Sequence, residues 1–204
     1  SWTDKSFASG SNHTLKYNAN TSIFGKDNSS NNLESSIIAG SNHNVDNSNF
    51  SSIAGSNNTV SFSNNSYISG NDQNEMAGTS NALFGSQNTN VGSDNNIISG
   101  KINNVNNANQ SFITGLSNQV TNAEYSNING KNNVISDIKG MFIGGQDNEI
   151  NSNVSNTLLW GSNNQIIGDA FTPDTLKDSI VIGNNHEVFQ NTKQTLVVGT
   201  ENYS

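Results

Sequence analysis

Asp27, Asp72 and Asp147, with His13, His43 and His186, are the residues whose type and spacing best invite metal or proton chemistry. Each aspartate lies two residues after a glycine, and each histidine three after one. If each glycine marks one coil of a stacked chain, with coils about 4.8 Å apart, the aspartates sit roughly 14 and 24 Å from one another. That is too far for a carboxylate pair, and a calcium site needs six to eight converging oxygens, so the three aspartates read as structural turn residues. His13 and His43 fall two coils apart, roughly 10 Å, beyond reach of one metal with bonds of about 2 Å. Only three copies of one histidine around a three-fold axis could converge. No Ser–His–Asp order, phosphate-binding loop or H-E-x-x-H stretch occurs. The absence of cysteine excludes thiol and zinc–thiolate chemistry. No catalytic residue, metal or cofactor is expected, and the chain does not read as an enzyme.

What positions these residues is a repeat. Gly10, Gly25, Gly40, Gly55, Gly70, Gly85, Gly100, Gly115, Gly130 and Gly145 are each 15 residues from the next, and Gly161, Gly183 and Gly199 continue the series at steps of 16, 22 and 16. Two residues before each glycine stands an aliphatic residue such as Ile23, Ile53, Leu83, Ile113 or Val181; only Ala8 is small there. Three after it stands Asn, or else Gln73 or one of the three histidines. Five after it, Val or Ile recurs, as at Val45, Val60, Val105 and Ile135. Short Ile/Val runs flanked by Gly and Asn read as strands joined by tight turns. A period near 15 is too short for the common helical repeats. The pattern predicts an all-β parallel β-solenoid of about thirteen coils, one domain over residues 1–204, with a length of roughly 60 Å. Two aliphatic columns fill a narrow interior. The glycine suits a turn needing φ > 0, and the Asn column suits a turn and an amide ladder.

Composition narrows the function. Asn and Ser number about 42 and 31, and only 31% of residues are hydrophobic. In random order such a chain would be disordered; the repeat is what permits a fold. A net charge of −8 with 8 Lys and Arg argues against nucleic-acid binding. No run of 18 apolar residues is present, so no membrane-spanning helix is expected. The opening SWTDKSFASG lacks a signal-peptide pattern, and the chain reads as a piece of something longer.

If the residue two before glycine points inward, those one and three before it point outward. These include Phe7, Phe24, Ile37, Tyr67, Phe84, Ile97, Phe112, Phe142, Trp160, Ile180, Ile182, Leu196 and Val198. A strand apolar on both faces is covered on both, and with no helix in the sequence to cover it, another chain must. Cyclic self-association is the common solution; the residues alone leave dimer and trimer open.

Ser179-Ile180-Val181-Ile182-Gly183 and Thr195-Leu196-Val197-Val198-Gly199 resemble the S-V-A-I-G motif of YadA-like trimeric autotransporter adhesin heads. The resemblance, iterated over almost the whole chain, implies a left-handed parallel β-roll assembled as a homotrimer. It also implies a head displayed on the outer membrane of a Gram-negative bacterium, with the stalk and membrane anchor outside this segment, attaching to host receptors or extracellular-matrix proteins. The chain departs from the family in its period of 15, in Ile where the family has Ala, and in Asn where it has Ser or Ala. These departures bear on which rows face the three-fold axis.

An adhesin needs a patch that differs from the repeated background. The long step between Gly161 and Gly183 supplies one, holding Asp169, Phe171, Pro173, Asp174, Leu176 and Lys177, with the chain's only proline. A plain connector is the bland alternative. Tyr17, Phe50, Phe62 and Tyr125 stand in rows otherwise held by Asn, Ser or Gly; Phe50 and Tyr125 are the second choice for receptor contact. The rival functions are an ice-binding solenoid and a polysaccharide-acting β-helix enzyme. An ice-binding solenoid needs a regular Thr row, whereas the candidate row runs Ser6, Thr21, Ser36, Ser51, Ser66, Asn81, Asn96, Ser111. A polysaccharide-acting β-helix enzyme needs carboxylates on adjacent coils.

Overall fold

The computed structural model describes residues 3–151, 153–167, 176–189 and 192–201. Every regular element among them is a strand. Strands pair in parallel with the repeat as register, which makes the chain an all-β parallel β-solenoid of about 12 turns. Two compact units make it up, Ser1–Ile102 and Asn103–Ser204.

In the first unit the glycine-centred strands run from Phe7–Ser11 to Ile97–Lys101 and stack column on column. Ile38 pairs Ile53, Ile53 pairs Ile68, and Gly40 pairs Gly55. A second face holds three-residue strands such as Asn44–Asp46, Thr59–Ser61 and Asn74–Met76. The third face is narrower, joined by the pair Asp4↔Ala19 and bridges such as Asn64↔Thr79. The second unit repeats this plan, with Phe112–Leu116 to Leu196–Thr200 on the long face and strands such as Gln119–Glu124 and Val134–Lys139 on the second. Its long insertion leaves the ladders intact, since Val154 still pairs Leu176 and Leu158 still pairs Ile180.

Three corners fold each turn, and left-handed residues make them. Asn12, Asp27, Asn42, Asn57 and Asp72, two after glycine, have φ of 55–58°. The corners seven and ten after glycine, such as Asn47 and Asn65, are alike at 47° and 56°. Asn and Asp tolerate this region because their short side chains bond locally. The aspartate row is thus a turn row, and Asp72 and Asp147 accept the side-chain amides of Asn57 and Asn132 one turn below.

The glycine row, expected at a turn, lies instead inside the long strands. There a Cβ on Gly55 would collide with the carbonyl oxygen of Gly70, and one on Gly115 with that of Gly130. Backbone approach, together with φ of 116° at both positions, excludes any side chain.

Inward rows number five, not two. Besides the aliphatic residues two before glycine and the Val/Ile five after it, the Ser/Thr/Asn row four before, the Asn row three after, and a mixed row eight after glycine are all buried. The Asn row therefore lies in the interior and not in a turn. Asn118 shows how it is satisfied. Its Nδ2 lies 3.0 Å from Asn103 Oδ1, 3.1 Å from the Thr114 carbonyl and 3.0 Å from the Gly130 carbonyl. Its Oδ1 accepts the Asn133 N–H at 3.2 Å. One amide links three turns, so a polar residue fills a core position without an orphaned group.

Replacing Asn118 with Leu keeps the branched shape but leaves the buried Asn133 N–H without its acceptor. It should cost about 1–3 kcal/mol, the range for one buried unpaired group. Gly115→Ala adds a forbidden backbone conformation to a backbone clash and should cost about 3–5 kcal/mol. Thermal denaturation followed by circular dichroism reads both; a melting temperature unchanged in either variant would contradict the packing described.

Candidate functional site

The outward residues of the long strands form an apolar face on each unit. In the first unit Phe7, Phe24, Ile37, Tyr67, Phe84 and Ile97 are exposed, and in the second Phe112, Phe142, Trp160, Ile180, Ile182, Leu196 and Val198, with 37% to 69% of their surface open to water. In the first unit each bulky side chain is paired with a small one. Phe7 shares its turn with Ser9, Phe24 with Ser22, Tyr67 with Ser69, and Phe84 with Ala82. Neighbouring turns then set rings diagonally, at 5.7 Å for Phe7–Phe24 and 5.6 Å for Tyr67–Phe84. In the second unit Phe142 stacks on Trp160 at 5.9 Å and 16°. Gly144 makes room for that indole, since a Cβ there would strike its six-membered ring. In the first unit each knob thus stands beside a hollow, whereas in the second Leu158 with Trp160, Ile180 with Ile182 and Leu196 with Val198 set two bulky residues on one turn. Exposed apolar faces of this kind are uncommon on a monomer.

Off this face, four aromatics occupy left-handed corners. Tyr17, Phe50, Phe62 and Tyr125 have φ of 51–55° and are exposed, Phe50 at 57% and Tyr125 at 56%. Bulky residues are rare in this region, so these corners carry strain that Asn would avoid. Tyr125 has company. Lys139 Nζ lies 5.6 Å from its ring centre and 3.2 Å from Glu124 Oε2. Glu124, Lys139, Asp137, Asn107 and Asn122 line an open depression beside it, floored by Ile138 and Val154. Asn122 donates to Asp137 at 2.7 Å. Sequence reasoning found Tyr125 but missed the depression, because its residues come from adjacent turns and stand in unremarkable rows.

Of the insertion residues expected to bind, Asp169, Phe171, Pro173 and Asp174 lie outside the described residues. Leu176 is buried and pairs Val154, and Lys177 is half-buried beside Ser155. Leu176 therefore belongs to the interior of the narrow face, which removes it as a contact residue.

His43 and His186 are fully buried, which removes these two from any convergence of three copies on an axis, whereas His13 is half-buried. Each ring replaces an Asn of the inner row, its Nε2 facing the carbonyl four residues back, 3.2 Å to Ala39 and 3.1 Å to Ile182. The Asn58 N–H meets His43 Nδ1 at 3.3 Å, so the neutral ring with its proton on Nε2 satisfies both partners. Burial pushes the His43 pKa below its ordinary value, against the opposing pull of its backbone hydrogen bonds. Among the described residues no group of three or more His, Asp or Glu converges as a metal site. The Ser/Thr row weighed as an ice surface is buried from Thr21 to Ser111 and faces the interior. Among the described residues no helix is long and apolar enough to cross a membrane.

A scan of protein-family models finds none that matches this chain, and a search of curated proteins returns no match.

Because the folded state resists protonating His43, the unfolded state binds more protons once pH falls below about 6.5, and stability drops with acidification through that window. His43→Asn restores the common row residue. It should reduce the loss of melting temperature between pH 7 and pH 5 relative to wild type; equal acid sensitivity in the two proteins would refute this role for His43.

Proposed function

We propose that this chain is the head of a trimeric adhesin on the surface of a Gram-negative bacterium, attaching the cell to a host receptor or extracellular-matrix protein, and that it is not an enzyme. The observation that carries the reading is the apolar knob-and-hollow face of the long strands. A flat apolar surface could meet many partners. A zigzag in which each bulky residue stands beside a small one, as in the first unit, fits a copy of itself, the wholly bulky turns of the second unit add apolar area to the same face, and a cyclic arrangement closes it. Together with the resemblance of the Ser179–Gly183 and Thr195–Gly199 segments to YadA-like heads, this favours a left-handed roll packed three to an axis along that face. The third face and its corners would then remain outside. Tyr125 with its depression, Phe50, and the insertion with Asp169, Phe171, Pro173, Asp174 and Lys177 are the residues offered to a receptor.

Light scattering on the purified chain should give three times the monomer mass. Phe84→Ser with Trp160→Ser should weaken the assembly at least tenfold while the strand signature persists. A stable monomer at micromolar concentration would overturn the assembly. Replacing residues 169–175 with a short Gly-Ser turn, and separately Tyr125→Ala, should each reduce host-cell binding by the intact oligomer. Full binding by both variants would move the contact to the repeated lateral surface.

A further inference from the structure

The inner row five after glycine is Val or Ile in most turns, yet in two adjacent turns of the first unit it is Glu75 and then Asn90. Both are fully buried, and they pair directly in register. Asn90 Nδ2 donates to Glu75 Oε2 at 2.8 Å, and Asn81 Nδ2 donates to Glu75 Oε1 at 2.8 Å. Two further positions depart from the repeat to accommodate this. Asn81 stands in a row that is mostly Ser, and its amide also reaches the Ser93 carbonyl at 2.6 Å. Gly78 stands where other turns carry Leu33, Ser63, Ala108 or Ile138, and a Cβ there would come within 2.6 Å of Glu75 Oε1. Three neighbouring substitutions thus serve one carboxyl group, and a chance polar intrusion would not bring its own space and donors.

This arrangement is incomplete for the ionised form. A carboxylate in so thin an interior is costly unless paired with a cation or fully hydrogen-bonded, and no cation faces it. Val60 and Asn90 flank it in its column, while Ile68 and Leu83 are the inward residues of the opposite strands. Ser63 is a further hydrogen-bonding neighbour, and the one charged neighbour is Asp94, whose like charge opposes ionisation. Meanwhile Asn90 Oδ1 is buried with no donor. A half-turn of the Asn90 amide would present that oxygen to a protonated Oε2, turning an acceptor without a partner into one with a short O–H donor.

We propose that Glu75, Gly78, Asn81 and Asn90 form a pH-responsive seam in the first unit, tight while the carboxyl group holds a proton and loosened when it ionises. Burial is the largest influence on the group and raises its pKa to about 7, against the lowering by the Asn90, Asn81 and Ser63 hydrogen bonds. The folded chain therefore holds this proton over a pH range where the unfolded chain, with an ordinary value near 4.5, has lost it. Stability from the seam is present below about pH 4.5 and is lost as pH rises to about 7. The direction is opposite to that of His43. The seam lies inside the coil, so it stands whether or not the chain self-associates.

The test compares melting temperatures of the full 204-residue chain and its Glu75→Gln variant from pH 4.5 to 8. Groups that do not touch Glu75 are common to both proteins, so the difference reports the Glu75 carboxyl and its immediate surroundings. Between pH 5 and pH 8 the wild type should lose about 5–10 °C more than the variant. Glu75→Val, which restores the common row residue, should also flatten the profile. Parallel wild-type and Glu75→Gln curves would overturn the proposal. Should either variant fail to fold, carboxyl-carbon NMR of the glutamate-labelled wild type decides. A Glu75 midpoint near 7 supports the seam, and one in the ordinary carboxylate range refutes it.

Discussion

Every residue in a parallel solenoid sits on its counterpart from the turn below, one strand spacing away, so each position must tolerate a near-copy of itself as a neighbour. Few side chains satisfy this indoors. An amide does, because it donates and accepts at once: Asn103, Asn118, Asn133, Asn148 and Asn164 run head to tail, each Nδ2 on the Oδ1 below. Aliphatic chains stack without conflict. Glycine permits the closest approach of all, that of one turn's backbone to the next turn's carbonyl. Charges fail the condition, since like charges stacked at this distance repel. That accounts for a chain only 12% charged, and for aspartates such as Asp72 resting above an Asn that donates to them.

The same constraint explains how so polar a chain holds a core. Two of the inner rows are aliphatic, and the Asn row satisfies its hydrogen bonds between turns. The Ser row does likewise: the Ser126 N–H donates to Ser111 Oγ at 3.2 Å, and the Met141 N–H to Ser126 Oγ at 3.2 Å. Such an interior gains less from apolar burial than a globular core and relies on complete pairing of its polar groups. Buried polar atoms without a partner are few among the described residues, at His13, Gln73, Asn74 and Asn90, and only that of Asn90 belongs to a side chain bonded to a buried carboxyl group.

A narrow coil also has little inside to hide bulky residues. Phe, Tyr and Trp therefore appear outside, on the long-strand face or at corners, and the two placements differ in kind. On the face most stand beside a small residue, and they contact one another across turns. At the corners Phe50 and Tyr125 interrupt rows of Asn and Ser and take a backbone conformation unfavourable to them. The first pattern is regular enough to suit a repeated partner, whereas the second marks individual places on the surface.

From the sequence alone came the period, the parallel register, the inward column of Ile23, Ile53 and Ile113, and the outward apolar rows, because strand alternation and a constant spacing leave no other assignment. The turn role of Asp27, Asp72 and Asp147 was legible for the same reason. Tertiary structure decided what depends on the path of the coil between strands. It moved the glycine row from a turn into the strand, where a neighbouring backbone excludes Cβ. It turned the Asn row and the buried His43 and His186 inward, and Leu176 with them. It also brought Glu75, Asn81 and Asn90 onto one carboxyl group. A spacing fixes which residues stack, but where the chain bends decides which way they face, and three left-handed corners per turn are set by local φ and hydrogen bonds that no single row displays.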